Sequence, residues 1–374
     1  MANINDYLLW RGDIELSKDH PLNEIDSMIL ARFSYLRIDK IKMEKIETIE
    51  SISNKMKNLS NEEFLYNGDK ELITNLGASK RFKDMIVTDY IKHSDSKTEK
   101  QFGAISIHTS PKEIYISYIG TDNTIYGWKE DFNMAFMENV PCQIEGKEYL
   151  ENIAKKYMNK KIRIGGHSKG GNVAIYSAIT TDAKIQNRII KVDNFDGPGF
   201  NKKITNEYEK GEILDKIETY IPQDSIIGRL LNHNEKITIS YSLEKGIYQH
   251  DIYSWQVLKD EMIKSEKNTE SSEIFNKTLD NWLETTTKEQ RKIMVDSIFE
   301  VILSTKAESF VDITKSITVN LPIILKKYKE ISEEDKKVIM DMLKVIFGSY
   351  INIVKETETA KLDKTKEKLL GSNK

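Results

Sequence analysis

The stretch Arg163–Asn172, RIGGHSKGGN, concentrates four glycines in ten residues of a chain that has only 18 among 374. Ahead of it KKIRI is short and β-branched, and from Asn172 onward NVAIYSAIT is apolar and compatible with a helix. The order strand, turn, helix frames Ser168 as G-H-S-K-G, with Gly166 and Gly170 on either side. A serine on so tight a turn takes strained dihedrals and presents its hydroxyl, and glycines at those two places keep strand and helix from colliding. A phosphate-binding loop would need lysine after Gly170, but Gly171 stands there and Lys169 lies inside the loop. A purely structural glycine turn is the remaining alternative.

Outward from the turn, RIIKVDNFDG, KIETYIPQD and KITISYSL read as further strands separated by turn or helical material. Strands alternating with helices imply a largely parallel sheet covered on both faces. Upstream, Phe102–His108 and Glu113–Ile119 alternate across a short T-S-P-K connection and read as an antiparallel hairpin. A helix is expected around Glu148–Met158. A helical entry runs from about Asn23 to Leu59, with Ile25, Met28, Ile29 and Phe33 on one face. From about Asp260 the sequence turns charged and helix-favouring. Thr287 with Gln290 and Ser332 with Asp335 have the spacing of helix starts. The expected division is therefore residues 1–260, the α/β part, and 261–374, a helical C-terminal appendage. The amphipathic run at 336–354 suits either burial in its own domain or docking on a partner, a second copy or a membrane surface. The tail at 360–374 reads as frayed.

A serine hydroxyl is a weak nucleophile and needs a base, which needs an orienting acid. In the α/β-hydrolase pattern these follow in the order serine, acid, histidine. Only His233 and His250 lie well downstream. His250, in a loop after the strand-like KITISYSL, is the better placed, whereas His233 reads as part of a surface turn. Two acids compete, Asp224 after KIETYIP and Asp196 after the preceding strand; Asp224 lies nearer the base in chain order. Both would sit beyond the carboxyl ends of strands, where open α/β sheets bind ligands. Asp193, Asp196 and Gly197 faintly resemble a calcium loop but lack its other ligand positions, and read as a turn. An acyl-transfer site also needs oxyanion donors. The Lys169 N–H supplies one, and Thr121, after Gly120 at a strand end, offers the second or else sits in an ordinary turn.

Charge and composition narrow the partners. Fifty-six basic against 59 acidic residues give a net charge of -3, no electrostatic argument for nucleic acid or an anionic membrane. The single cysteine, Cys142, rules out internal disulfides and a cysteine-based zinc site. The expected chemistry requires no metal or organic cofactor. The amino terminus shows no basic start followed by an apolar run, so a cytoplasmic location is expected, with any membrane contact peripheral.

At this point the residues carry a resemblance. Y-I-G-T-D, then G-W-K-E-D-F, then I-G-G-H-S-K-G-G-N resembles the fungal-type class 3 lipases in order and spacing. D-Y-L-L-W-R-G-D-I with N-E-I-D is similar to a bacterial family of lipase-like α/β-hydrolases. The likeness spans roughly residues 5–260. It implies Ser168 as nucleophile, Thr121 as oxyanion residue, Asp224 as triad acid and His250 as base. It also implies a lid or wall from about Asp122 to Val140, whose Trp128, Phe132 and Phe136 either line an acyl pocket or pack as a helix face. Ile119 replaces the arginine of F-R-G-[ST], disulfides are absent and the C-terminal region lies outside the pattern, which argues against extracellular triglyceride digestion. The expected activity is hydrolysis of a carboxylic ester, a lipid ester among the candidates, through an acyl-enzyme. A thioesterase or amidase would use the same parts. The alternative is a catalytically silent α/β-hydrolase scaffold that binds a lipid or a protein partner.

Overall fold

The computed structural model describes residues 2–95, 98–121, 124–208, 211–305, 317–341 and 343–344. It divides into two units, Met1–Asn268 and Thr269–Lys374. The first contains α1 (Ile4–Arg11), α2 (Glu24–Tyr35), β1 (Ile46–Thr48), α3 (Ile49–Met56), α4 (Asp69–Ala78), β2 (Ile86–Asp95), β3 (Lys100–Ser110), β4 (Glu113–Tyr118), α5 (Ile125–Asn133) and α6 (Pro141–Lys156). It continues through β5 (Lys161–His167), α7 (Lys169–Thr180), α8 (Ala183–Gln186), β6 (Ile189–Phe195), α9 (Lys202–Glu207), β7 (Ile217–Pro222), β8 (Lys236–Ser240), β9 (Val257–Leu258) and β10 (Glu261–Met262).

Strands β1 to β8 form one sheet in chain order. The pairings are antiparallel from β1 to β4 and parallel from β4 to β8. The expected hairpin is β3–β4. Strands β1 and β2 were not legible in the sequence: β2 is half-covered along its length, so its apolar alternation is weak.

Alternation explains how both faces of the sheet are buried. Ile114, Ile116 and Tyr118 of β4 join a core with Leu150 and Ile153 of α6 and Val173 and Ala174 of α7. Tyr115 points the other way, into a core with Ile25, Met28 and Ile29 of α2 and with Trp255. The result is an α/β-hydrolase fold with a helical C-terminal part, in which the parallel half of the sheet carries the serine turn.

The second unit contains α10 (Glu270–Thr285), α11 (Lys288–Leu303) and α12 (Ile317–Glu330). Thr287 and Gln290 make the capping box read from the sequence, and the Asp335 N–H reaches Ser332 Oγ at 3.0 Å. Most of the amphipathic run at 336–354 and all of 360–374 lie outside the described residues. Among the described residues no helix is long and apolar enough to cross a membrane.

Candidate active site

Each parallel strand delivers one residue of interest beyond its carboxyl end: Thr121 after β4, Ser168 after β5, Asp196 after β6, Asp224 after β7 and His250 after β8. Ser168 is the N-cap of α7 and has φ 58° and ψ -134°, a left-handed conformation that costs a non-glycine residue about 1–3 kcal/mol. Close packing explains its flanking glycines. A Cβ on Gly166 would lie 2.3 Å from the Gly170 carbonyl carbon, and one on Gly170 would lie 2.2 Å from the Tyr118 carbonyl oxygen. The Ser168 N–H is tied to the Phe195 carbonyl at 2.9 Å.

His250 ends a short 3-10 turn, Gly246–His250. The carboxylate that reaches it belongs to Asp196: His250 Nδ1 and Asp196 Oδ2 are 2.7 Å apart. A carboxylate accepts, so Nδ1 carries the proton and Nε2 presents a lone pair. Asp196 is buried, and its Oδ1 accepts from Ser225 Oγ at 2.5 Å and the Gly228 N–H at 3.1 Å.

The expectation that Asp224 would orient the base is corrected here. Its Oδ2 accepts from the Gly246 N–H at 2.5 Å, and its own N–H donates to Gln249 Oε1 at 2.7 Å. Asp224 therefore holds the turn that carries His250 rather than the imidazole. His233, read as part of a surface turn, is buried with Nδ1 2.7 Å from Glu235 Oε1.

His167, beside the serine, packs against His250 with ring centroids 4.5 Å apart and the rings tilted by 33°. Burial, with the neighbouring His250 and Arg32, holds its pKa well below the usual histidine range. Its neutral ring donates from Nε2 to the His250 carbonyl oxygen at 2.8 Å. Behind it, Tyr35 Oη of α2 donates to the His167 carbonyl at 2.7 Å. The base loop is fixed further by Trp255 Nε1 donating to the Gln249 carbonyl at 2.7 Å, and by Tyr253 Oη donating to Asp69 at 2.9 Å. Asp69 in turn forms a buried bidentate pair with Arg32. Nothing in the sequence pattern singled out Tyr35, Arg32 or Asp69, because each lies far from the motif in chain position.

The Lys169 N–H opens α7, where backbone donors lack intrahelical partners. Thr121 Oγ1 donates to Asp131 Oδ2 at 2.5 Å, so its N–H is what remains for an oxyanion while Asp131 is ionised. Burial pushes the Asp131 carboxyl up to about 6, against the pull of Lys169 and Thr121.

The segment expected to form a lid starts with Asp122 and Asn123, which lie outside the described residues. Of α5, the buried positions are Ile125, Gly127, Lys129, Glu130 and Asn133, so its inward face is largely polar. Phe132 is 51 % exposed, and Trp128 and Phe136 are half-buried. A small surface depression is lined by Met134, Met137, Val140, Phe200, Ile204 and Leu231 among others. Cys142 is buried, and burial beside Glu130 pushes its thiol pKa well up, which leaves it unreactive. Among the described residues no cluster of three or more His, Cys, Asp or Glu is arranged to hold a metal ion.

No curated protein sequence matches the chain. Among solved structures it is similar to M37 lipase, at 17% identity over 54% of this chain and 68% of that one, with a TM-score of 0.35. It is similar also to the Lip2 lipase of Yarrowia lipolytica, at 12% identity over 59% and 83%, with a TM-score of 0.32. A fungal lipase–inhibitor complex gives 14% identity over 50% and 81%, with a TM-score of 0.31. The family described as Mbeg1-like matches residues 76–300, a span that holds the serine turn, α5 and the His250 loop. The chain, with its α/β-hydrolase fold, belongs to the Mbeg1-like family.

Proposed function

We propose that this protein is a serine hydrolase that cleaves a carboxylic ester, with Ser168, His250 and Asp196 as its triad. One observation carries the reading: the Asp196-bound imidazole of His250, its Nε2 lone pair available, lies 4.5 Å, ring centre to ring centre, from His167, the residue that precedes a serine held at φ 58°. Ser168 Oγ attacks the ester carbonyl carbon while His250 Nε2 takes its proton, and Asp196 stabilises the imidazolium. The N–H groups of Lys169 and Thr121 hold the tetrahedral oxyanion. Its collapse expels the alcohol, which receives the proton from His250 and leaves an acyl group on Ser168. Water, deprotonated by His250, then attacks the acyl carbon and restores the free serine.

The test is labelling with a fluorophosphonate together with turnover of p-nitrophenyl esters of increasing acyl length. Wild-type protein is expected to label at Ser168 and to turn over at least one ester. Ser168→Ala is expected to abolish labelling, and His250→Ala to reduce it sharply. A well-folded wild type that neither labels nor hydrolyses any ester faster than Ser168→Ala would leave a silent scaffold as the better reading.

A further inference from the structure

The side chain of Lys169 is almost completely buried, 1% exposed, in the first turn of α7. That is a poor place for an ammonium, because the positive end of a helix dipole already lies there. Replacing a buried ion pair by apolar residues of similar volume is often neutral or stabilising, so burial of this charge is weak evidence for a stabilising role. The position of Lys169 is explained by what its contacts reach. Nζ donates to Glu130 Oε2 at 2.8 Å and to the Gln101 carbonyl at 3.2 Å, and lies 3.8 Å from Asp131 Oδ1.

Two arms run from there to the same place. Through Asp131, whose other oxygen accepts from Thr121 Oγ1, Lys169 reaches the side chain of Thr121. Through Gln101, whose Nε2 donates to the Gly120 carbonyl at 3.2 Å, it reaches the peptide that carries the Thr121 N–H. Glu130 clamps the base of both arms, accepting from the Gln101 N–H at 3.0 Å and the Cys142 N–H at 2.9 Å.

Resting on the ester-hydrolase reading above, we infer that the Lys169 side chain is a positioning residue for the oxyanion hole. Its backbone supplies one oxyanion donor, and its ammonium aims the other by fixing Gly120 and Thr121 through Gln101 and Asp131. Among the described residues, the charged and titratable groups facing Asp131 are Lys169 from α7, His250 from the loop after β8, Glu130 from α5, Tyr35 from α2 and Cys142 from α6. Lys169 is the one fixed cation among them.

The experiment measures kcat and KM for a p-nitrophenyl ester, per serine titrated by fluorophosphonate, in wild type, Lys169→Met, Asp131→Asn and the double variant. Lys169→Met is expected to lower kcat about 10- to 100-fold with KM nearly unchanged, the split of an interaction made in the transition state. Combined with Asp131→Asn it is expected to lose much less than the product of the two single effects. Because Lys169→Met leaves Glu130 buried without its cation, Lys169→Met/Glu130→Gln serves as the charge-balanced variant. It is expected to regain thermal stability while kcat stays low. Charge-balanced protein with wild-type kcat, or fully multiplicative losses in the double variant, would overturn the inference and leave the ester-hydrolase reading intact. A wild type that fails to label at Ser168 overturns both.

Discussion

Two carboxylates end neighbouring strands, and the chain sends only one of them to the imidazole. Asp196 has φ 52°, and this left-handed residue one step past β6 is bonded through its N–H to the Tyr220 carbonyl at 2.8 Å. Order along the chain favoured Asp224, but β6 pairs with β5, the strand that leads into Ser168, and a sharp turn at its end is invisible to spacing. The strained turn at Ser168 was legible because its glycine spacing is sterically demanding, and the place of His250 after β8 because only one other histidine lies well downstream. The choice of acid was not legible, since it depends on a backbone conformation that DNFDG does not announce. Asp196→Asn is expected to lower kcat about 10³- to 10⁴-fold by losing the tautomer that leaves Nε2 free. Asp224→Asn, which still occupies the His250 turn, is expected to lower it by less than about tenfold. Steady-state kinetics on the two variants separates them.

Among the elements, α5 departs furthest from its sequence reading. Trp128, Phe132 and Phe136 read either as the lining of an acyl pocket or as a packed helix face; the helix turns Lys129, Glu130 and Asn133 inward, because Glu130 meets backbone N–H groups from β3 and α6 as well as Lys169. Periodicity finds a stripe of aromatics but does not reveal a buried carboxylate whose partners come from three other elements. A helix pinned in this way has a large barrier to swinging aside. The expected outcome is a hydrolysis rate that rises smoothly as an ester substrate passes its aggregation threshold, with no abrupt increase. Initial rates measured on both sides of that threshold check this. The parallel strands β4 to β7 were legible for the opposite reason: they are short, mostly buried and bounded by turn residues, so their apolar runs stand out.

At the scale of the molecule, the sheet holds an acid with no catalytic part in this reading. Asp193 of β6 is 1% exposed; burial, opposed by Lys191, Ser27 and Arg163, pushes its carboxyl up to about 6. Glu218 of β7 adds a repulsive charge. The folded protein thus binds this proton more tightly than the unfolded chain does. Stability from this group is full at pH values below the ordinary aspartate range and is lost as pH rises to about 6. Asp193→Asn removes that loss. The variant is expected to melt higher than wild type at pH 7.5, by an amount equivalent to about 1–3 kcal/mol, and to show no gain at pH 4. Thermal melts at the two pH values give the comparison.

Contacts around His250 and elsewhere in the first unit bring together very distant parts of the chain. Tyr35 meets His167 across 132 positions, Tyr253 meets Asp69 across 184, and the Asn23 side chain reaches the Asp260 carbonyl across 237. Closures of that length are slow to form, because each must overcome loop entropy before any contact rewards it. Catalytic competence should therefore be among the last properties to return on refolding. After dilution from denaturant, far-ultraviolet circular dichroism is expected to recover first and fluorophosphonate labelling of Ser168 measurably later; simultaneous recovery would show that the reactive serine matures with the local β5–α7 unit alone.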